Sequence, residues 1–256
     1  MKTTGKVYLV GAGPGDPKLL TIRGLECIQE ADVIIYDRLA SSSLLEHAKS
    51  KAELIYCGKL PKHHTLRQEQ INEILVQKAS AGLVVTRLKG GDPCVFGRVG
   101  EEAEHLAFHG IDFEIVPGIS AGIAAPTYAG IPVTHREYGS SFAVVTGHLQ
   151  QEQEDTRRWG ALATGVDTIV FYMGVNNLSY ICRRLIEHGR DSKTPVAMIE
   201  WGTTEKQRTI TGTLETIEEV SASFAITHPA IILVGEVVRL REKLQWFQER
   251  NTLMQG

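Results

Sequence analysis

The chain has 256 residues, 43% of them hydrophobic and 22% charged, a length and composition that allow one large or two modest domains and exclude long disorder. With 27 Lys and Arg against 30 Asp and Glu, the net charge of −3 excludes a general nucleic-acid binder, which needs a basic face against phosphates. No apolar run approaches the roughly 20 residues of a membrane span, and the opening MKTTGKVYLVGAG is too short in apolar residues for a secretory signal.

In chain order, Val7–Val10, Val33–Tyr36, Leu54–Cys57, Leu83–Leu88 and Phe113–Val116 are near-continuous apolar runs, the pattern of strands buried on both faces. Between them, Leu19, Ile22, Leu25, Ile28 and Ala31 recur at helical spacing, as do Ile71, Ile74, Leu75 and Ala79, the latter helix opened by a Thr65/Gln68 capping box. Strands alternating with helices predict parallel βαβ units. The Gly-, Ala- and Pro-rich stretch Pro117–Gly139 breaks this rhythm, with Ser120 placed to cap a short helix. A second series follows: Phe142–Thr146, Thr168–Tyr172, Val196–Glu200, Arg208–Thr211 and Ile231–Val234, with a helix over Asn177–His188 stopped by Gly189. Its last strands lie too close together for crossover helices, which predicts a mixed sheet. The expected organisation is two α/β domains, residues 1–116 and 140–256, joined by a segment over 117–139. Cys27, Cys57, Cys94 and Cys182 are scattered with no CxxC pair, which reads as reduced thiols in the cytoplasm.

The first strand runs into Gly11-Ala12-Gly13-Pro14-Gly15-Asp16-Pro17. This is not a GxGxxG dinucleotide fingerprint, because Asp16 stands at the third glycine and Pro14 removes an amide donor. The loop either lets a flat ligand approach the backbone or is a tight turn with no ligand. The fourth strand ends in Arg87-Leu88-Lys89-Gly90-Gly91-Asp92-Pro93, at the carboxyl edge where open α/β sheets bind ligands. Asp92 there is either an acceptor for a ligand hydroxyl or ammonium, or a turn-forming residue.

From Asp37 to Arg98 there are ten Lys and Arg against six Asp and Glu, so the rest of the chain is acidic. A locally positive region suits a small polyanionic substrate. Arg38, Lys59, Arg87, Lys89 and Arg98 stand out because each falls at or just past a strand end. Asp37 and Lys59 each follow a strand, and are either acid/base partners facing one cleft or a plain ion pair. His63-His64 reads as a surface pair rather than a metal site, and Cys94 as a small packing residue in the glycine turn.

Several segments together resemble the tetrapyrrole methyltransferase family: VYLVGAGPGDPKLLT (Val7–Thr21), ADVIIYDRL (Ala31–Leu39), RLKGGDPCVFGR (Arg87–Arg98), GEEAEHL (Gly100–Leu106) and VPGISAGIAAPTYAGIPVTHR (Val116–Arg136). In the second half TGH (Thr146–His148), YMG (Tyr172–Gly174), EWGT (Glu200–Thr203) and HPAIILVGEVV (His228–Val238) continue the match in order. The resemblance implies a two-domain, non-Rossmann fold with a parallel N-terminal and a mixed C-terminal sheet, enclosing S-adenosylmethionine. It implies cofactor contacts at Pro14, Gly90, Gly91, Asp92, Val95, Ser120, Ala121, Met173 and Gly202, acid/base roles for Asp37 and Lys59, and substrate contacts at Arg38 and Arg98. The implied reaction is C-methylation of uroporphyrinogen III at two pyrrole carbons (C2 and C7) to give precorrin-2 via precorrin-1, feeding sirohaem or cobalamin, in a stand-alone cytoplasmic homodimer with no metal or flavin. The alternatives are a methyltransferase for a later precorrin or a non-tetrapyrrole substrate, an NAD-dependent oxidoreductase with Asp37 on the ribose, and a ligand-binding regulator without turnover.

Overall fold

The computed structural model describes residues 4–58, 67–148 and 156–249. The chain divides into two compact units, Met1–Ala121 and Gly122–Gly256. In the first, the strands are β1 (Lys6–Gly11), β2 (Val33–Tyr36), β3 (Glu53–Tyr56), β4 (Val85–Lys89) and β5 (Asp112–Val116). The helices are α1 (Ile22–Glu30), α2 (Gln68–Ser80) and α3 (Val99–Phe108). All five strands pair in parallel, in the order β3-β2-β4-β1-β5. Side chains alternate across the strands, so β1 feeds two cores. Val7 and Leu9 pack with Val33, Ile35, Val85 and the inward faces of α2 and α3 (Ile71, Leu75, Leu106). Tyr8 and Val10 pack with Ile34, Leu88 and Cys27 and Ile28 of α1.

Three expectations are corrected here. β3 and β5 are the edge strands, so Leu54, Phe113 and Ile115 are exposed rather than buried on both faces. The stripe of α1 is Gly24, Cys27 and Ile28, while Ile22 faces solvent and Leu19 belongs to the preceding short turn Pro17–Leu19. The start of α2 also differs from the predicted box: Gln68 is its first residue, and Gln70 reaches back to accept from the Arg67 amide at 2.8 Å. Thr65 lies outside the described residues.

The segment 117–139 carries α4 (Ala121–Tyr128), directly after Ser120. The second unit then holds β6 (Phe142–Thr146), α5 (Thr156–Gly165), β7 (Thr168–Tyr172), α6 (Leu178–Glu187), β8 (Pro195–Glu200), β9 (Arg208–Thr213), α7 (Ile217–Ser223), β10 (Ala230–Val234) and α8 (Arg241–Leu244). Its sheet, β6-β7-β10-β8-β9, is mixed as the short connections require: β6 and β7 are parallel and every other pair is antiparallel. Phe171, Ile169, Ile181, Leu185, Met198, Ile217 and Ile232 fill its core. Gly189, at φ +101°, ends the path of α6 in a conformation that favours glycine. Among the described residues no helix is long and apolar enough to cross a membrane.

Candidate functional site

In the first unit the site grows from strand register. β1 and β4 are neighbours, and Gly11 at the end of one pairs with Lys89 at the end of the other, so both glycine turns emerge side by side. They are bonded to each other: Gly13 N donates to Gly91 O at 3.2 Å, and Gly91 N donates to Gly13 O at 2.7 Å. Both residues have positive φ, +76° and +70°. From β5, on the other side of β1, Gly118 packs against them so closely that a Cβ there would lie 2.3 Å from Gly91 O and 2.8 Å from Gly11 Cα. Asp92 closes the brace, its Oδ2 accepting from Gly118 N at 2.9 Å and its Oδ1 from Cys94 N at 2.8 Å. The turn-forming role of Asp92 is thus realised, and a ligand contact would use the lone pairs that remain. Pro14 lies between Gly13 and Gly15, and Asp16 accepts from Lys18 N at 2.9 Å to cap the next turn, which explains why the third glycine of a dinucleotide fingerprint is replaced. Over Gly91 a Cβ would meet only Ala121 N, at 3.8 Å, so backbone is left open beside Ser120 and Ala121. Val95 is half-buried and Cys94 exposed on the same turn.

Asp37 follows β2. Its Oδ1 accepts from Leu39 N at 3.0 Å, and its Oδ2 pairs with Arg87 Nη2 at 3.3 Å. Lys59, its expected partner, lies outside the described residues, as do His63 and His64. The expectation that Arg87 and Lys89 are strand-end cations offered to a substrate is corrected: both are buried and both are paired with Glu102, which is itself fully buried. Lys89 Nζ donates to both oxygens of Glu102 at 2.8 Å, and Arg87 Nε donates to one at 3.2 Å. Burial, then the adjacent Arg87, pushes the Lys89 ammonium below the usual lysine range. Burial likewise pushes the Cys57 thiol up. Glu102 was missed because a helical glutamate reads as a solvated face. Its signal is positional: Val99, Glu102 and Leu106 are the buried residues of α3, so an acid stands in the middle of the core stripe.

Arg38 is exposed beside Asp37. Arg98, also exposed, grips Glu101 through Nε at 2.8 Å and Nη2 at 2.6 Å, so a substrate carboxylate would have to share or displace that pair.

In the second unit, Met173 follows β7 with its side chain exposed and φ +55°. Tyr172 before it accepts the Gly122 amide of α4 through its hydroxyl. Gly174 after it packs on Gly147, where a Cβ would lie 2.5 Å from Gly174 Cα. Gly202 follows β8 between Trp201 (φ +49°) and Thr203 (φ +67°), and a Cβ on it would strike Ala125 Cβ at 2.4 Å. Thr203 N donates to Gln207 Oε1 at 2.7 Å, and Gln207 is fully buried. Non-glycine residues at positive φ are uncommon and gather at functional sites. Phe96, Arg98, Met173, Trp201 and Thr203 all fall within the segments singled out from the sequence; Ala225 is the exception.

The strand order sets aside the dinucleotide-binding alternative, since a Rossmann sheet places β1 beside β2, whereas here β4 stands between them. Residues 6–218 match the family model Tetrapyrrole (Corrin/Porphyrin) Methylases, and the chain belongs to that family. It is 62% identical to a uroporphyrinogen-III C-methyltransferase of Priestia megaterium, over 91% of this chain and 98% of the relative. A Bacillus subtilis protein of the same name is 57% identical over 95% of each. A siroheme synthase of Pseudomonas aeruginosa is 51% identical over 96% of this chain, which spans 52% of that longer protein. Among solved structures, the uroporphyrin-III C-methyl transferase of Thermus thermophilus, complexed with S-adenyl homocysteine, superposes with TM-score 0.78 at 40% identity, covering 92% of this chain and 100% of the other. The cobalamin biosynthetic enzyme cobalt precorrin-4 methyltransferase superposes with TM-score 0.82 at 25% identity, covering 91% and 95%.

Proposed function

We propose that this chain is an S-adenosylmethionine-dependent C-methyltransferase that converts uroporphyrinogen III to precorrin-2 through two methylations. The observation carrying this reading is the 62% identity across nearly the whole length of a uroporphyrinogen-III C-methyltransferase, and the braced glycine turns of this chain support it. The turns suit a flat, uncharged adenosine better than a pyrophosphate, because Pro14 donates nothing and the Gly13 and Gly91 amides are already used on each other. When bound, S-adenosylmethionine supplies an electrophilic methyl group on its sulfonium.

The protein's part is placement, and the backbone glycines and positive-φ turns are held by neighbours that leave little freedom. Pro14, Gly90, Gly91, Asp92, Val95, Ser120 and Ala121 of the first unit are assigned to the cofactor, as are Met173 and Gly202 of the second. A pyrrole carbon that gains a methyl group leaves the macrocycle one proton in excess. Asp37, half-buried and fixed by Leu39 N and Arg87, is the acceptor for that proton. The role of cationic partner falls to Lys59, and Arg38 and Arg98 take the peripheral carboxylates. A cytoplasmic homodimer supplying sirohaem or cobalamin synthesis completes the reading.

Anaerobic incubation with uroporphyrinogen III and methyl-labelled S-adenosylmethionine tests it. Two labelled methyls per macrocycle and a precorrin-2 spectrum are the expected result; no incorporation would refute the assignment.

A further inference from the structure

We propose that Glu102 is a positioning residue for Asp37, acting through Arg87: it holds part of the Arg87 charge away from Asp37 and so sets how readily Asp37 takes a proton. This inference rests on the reading of Asp37 as proton acceptor.

The geometry is a chain of shared charges. Arg87 uses every nitrogen: Nη2 faces Asp37 at 3.3 Å, Nε faces Glu102 at 3.2 Å, and Nη1 donates to Leu88 O at 3.0 Å and Ile35 O at 3.4 Å. A planar fork anchored at three points cannot swing toward one carboxylate alone. Glu102 in turn is held by Lys89 on both oxygens and by Gln68 Nε2 at 3.1 Å. Gln68 is itself tied to Asn72 on the same helix. Two cations and two carboxylates therefore balance in a buried cluster, where charges act strongly because little water screens them.

The other groups near this cluster are few. From the end of β3, Cys57 donates its thiol to Tyr36 O at 3.2 Å, and burial keeps that thiol neutral. Arg38, next to Asp37 in the chain, is exposed. On α3, His105 turns instead to Glu73 of α2, at 3.4 Å. Lys59 lies outside the described residues.

The sign of each perturbation follows. Neutralising Glu102 leaves two cations facing Asp37 as the one remaining anion, so Asp37 gives up its proton at lower pH and becomes a weaker base. Removing the Lys89 charge does the reverse, because Glu102 then draws more of Arg87. A purely structural role for either residue would move stability and leave the position of the pH limb alone.

The experiment is the pH profile of methyl transfer to uroporphyrinogen III for the wild type, Glu102→Gln, Lys89→Met and Asp37→Asn. Glu102→Gln is expected to displace the acid limb downward by about one pH unit and to lower kcat roughly three- to tenfold, with KM for S-adenosylmethionine unchanged within about twofold. Lys89→Met is expected to displace the limb upward. Should Glu102→Gln not fold, the direction of the Lys89→Met limb decides. A limb abolished by Asp37→Asn but left in place by the other two overturns this inference alone. A limb that survives in Asp37→Asn overturns the role of Asp37, and this inference with it.

Discussion

Gly13 and Gly91 exchange both backbone hydrogen bonds across the ends of β1 and β4, and Gly118 lies against the same carbonyl from the end of β5. Three turns that diverge in sequence are thereby one backbone unit, and its glycines are required for different reasons. Gly118 has no room: a Cβ would sit 2.3 Å from Gly91 O, with backbone on every nearby side. Gly91 has room but sits at φ +70°, where an L side chain costs about 1–2 kcal/mol. Gly118→Ala should therefore destabilise the protein by about 3 kcal/mol or more and abolish S-adenosylhomocysteine binding, since overpacked backbone cannot yield. Gly91→Ala should lose about 1–2 kcal/mol while still folding. Urea unfolding and calorimetry on the two variants check the contrast, and equal losses would show that the close approach is not what matters.

Cys94 is the exposed thiol of the four, on the turn pinned by Asp92, while Cys27, Cys57 and Cys182 are buried. Burial pushes Cys27 up to about 11 and Cys182 up to about 12, so these three stay protonated and shielded at neutral pH. A thiol-reactive chromophore should label one cysteine quickly in the native protein and all four in denaturant. If the Gly90–Asp92 turn holds the cofactor, saturating S-adenosylhomocysteine should slow the fast labelling at least about tenfold, whereas an unchanged rate would move the cofactor away from this turn.

The strands buried on both faces, β1, β2 and β4, were legible from the apolar runs Val7–Val10, Val33–Tyr36 and Leu83–Leu88, the pattern such strands carry. The edges were not. Leu54, Phe113 and Ile115 carry the same residue types, and only the order of strands in space shows that they face outward. The same limit applies at the site. Glycine turns and the position of Asp37 can be read from residue type and strand ends, but the partners of Arg87 and Lys89 depend on α3 folding back over β4. Glu102 therefore became visible only as an acid buried between Val99 and Leu106. The Asp37 pair illustrates the difference, since its described cation is Arg87, fifty residues away on the neighbouring strand β4, a residue whose type and place at a strand end suggested a substrate contact instead.

Glu114 on β5 joins two elements of the first unit, receiving Lys6 Nζ from β1 at 2.8 Å and Arg23 Nε from α1 at 2.9 Å. The Arg23 and then the Lys6 hydrogen bonds hold its carboxyl down to about 2. A carboxyl lower in the folded than in the unfolded chain adds stability above its unfolded value of 4.5, and that stability is lost as pH falls toward 2. Because the group is about one-third exposed, solvent screening limits the contribution to roughly 0.5–1 kcal/mol. Glu114→Gln should be less stable than wild type by that amount at pH 7 and indistinguishable from it near pH 2, in denaturation measured at both. A gap that persists at pH 2 would mean the side chain acts by packing instead.

Gln207 is the buried support of the turn that presents Gly202. Its Oε1 accepts from Thr203 N at 2.7 Å, and its Nε2 donates to Glu249 Oε1 at 2.9 Å, which in turn binds Arg241. Trp201 and Thr203 both sit at positive φ, a backbone the chain keeps only while its neighbours hold it. Gln207→Met fills similar space but leaves the Thr203 amide buried without its acceptor, at a cost of about 2 kcal/mol. The turn should then relax, and if Gly202 contacts the cofactor, the Kd for S-adenosylhomocysteine should rise about tenfold while kcat at saturating S-adenosylmethionine stays within about threefold of wild type. A variant that loses stability with unchanged Kd would separate the turn from cofactor binding, because the strain released at Trp201 and Thr203 cannot leave a ligand on Gly202 undisturbed.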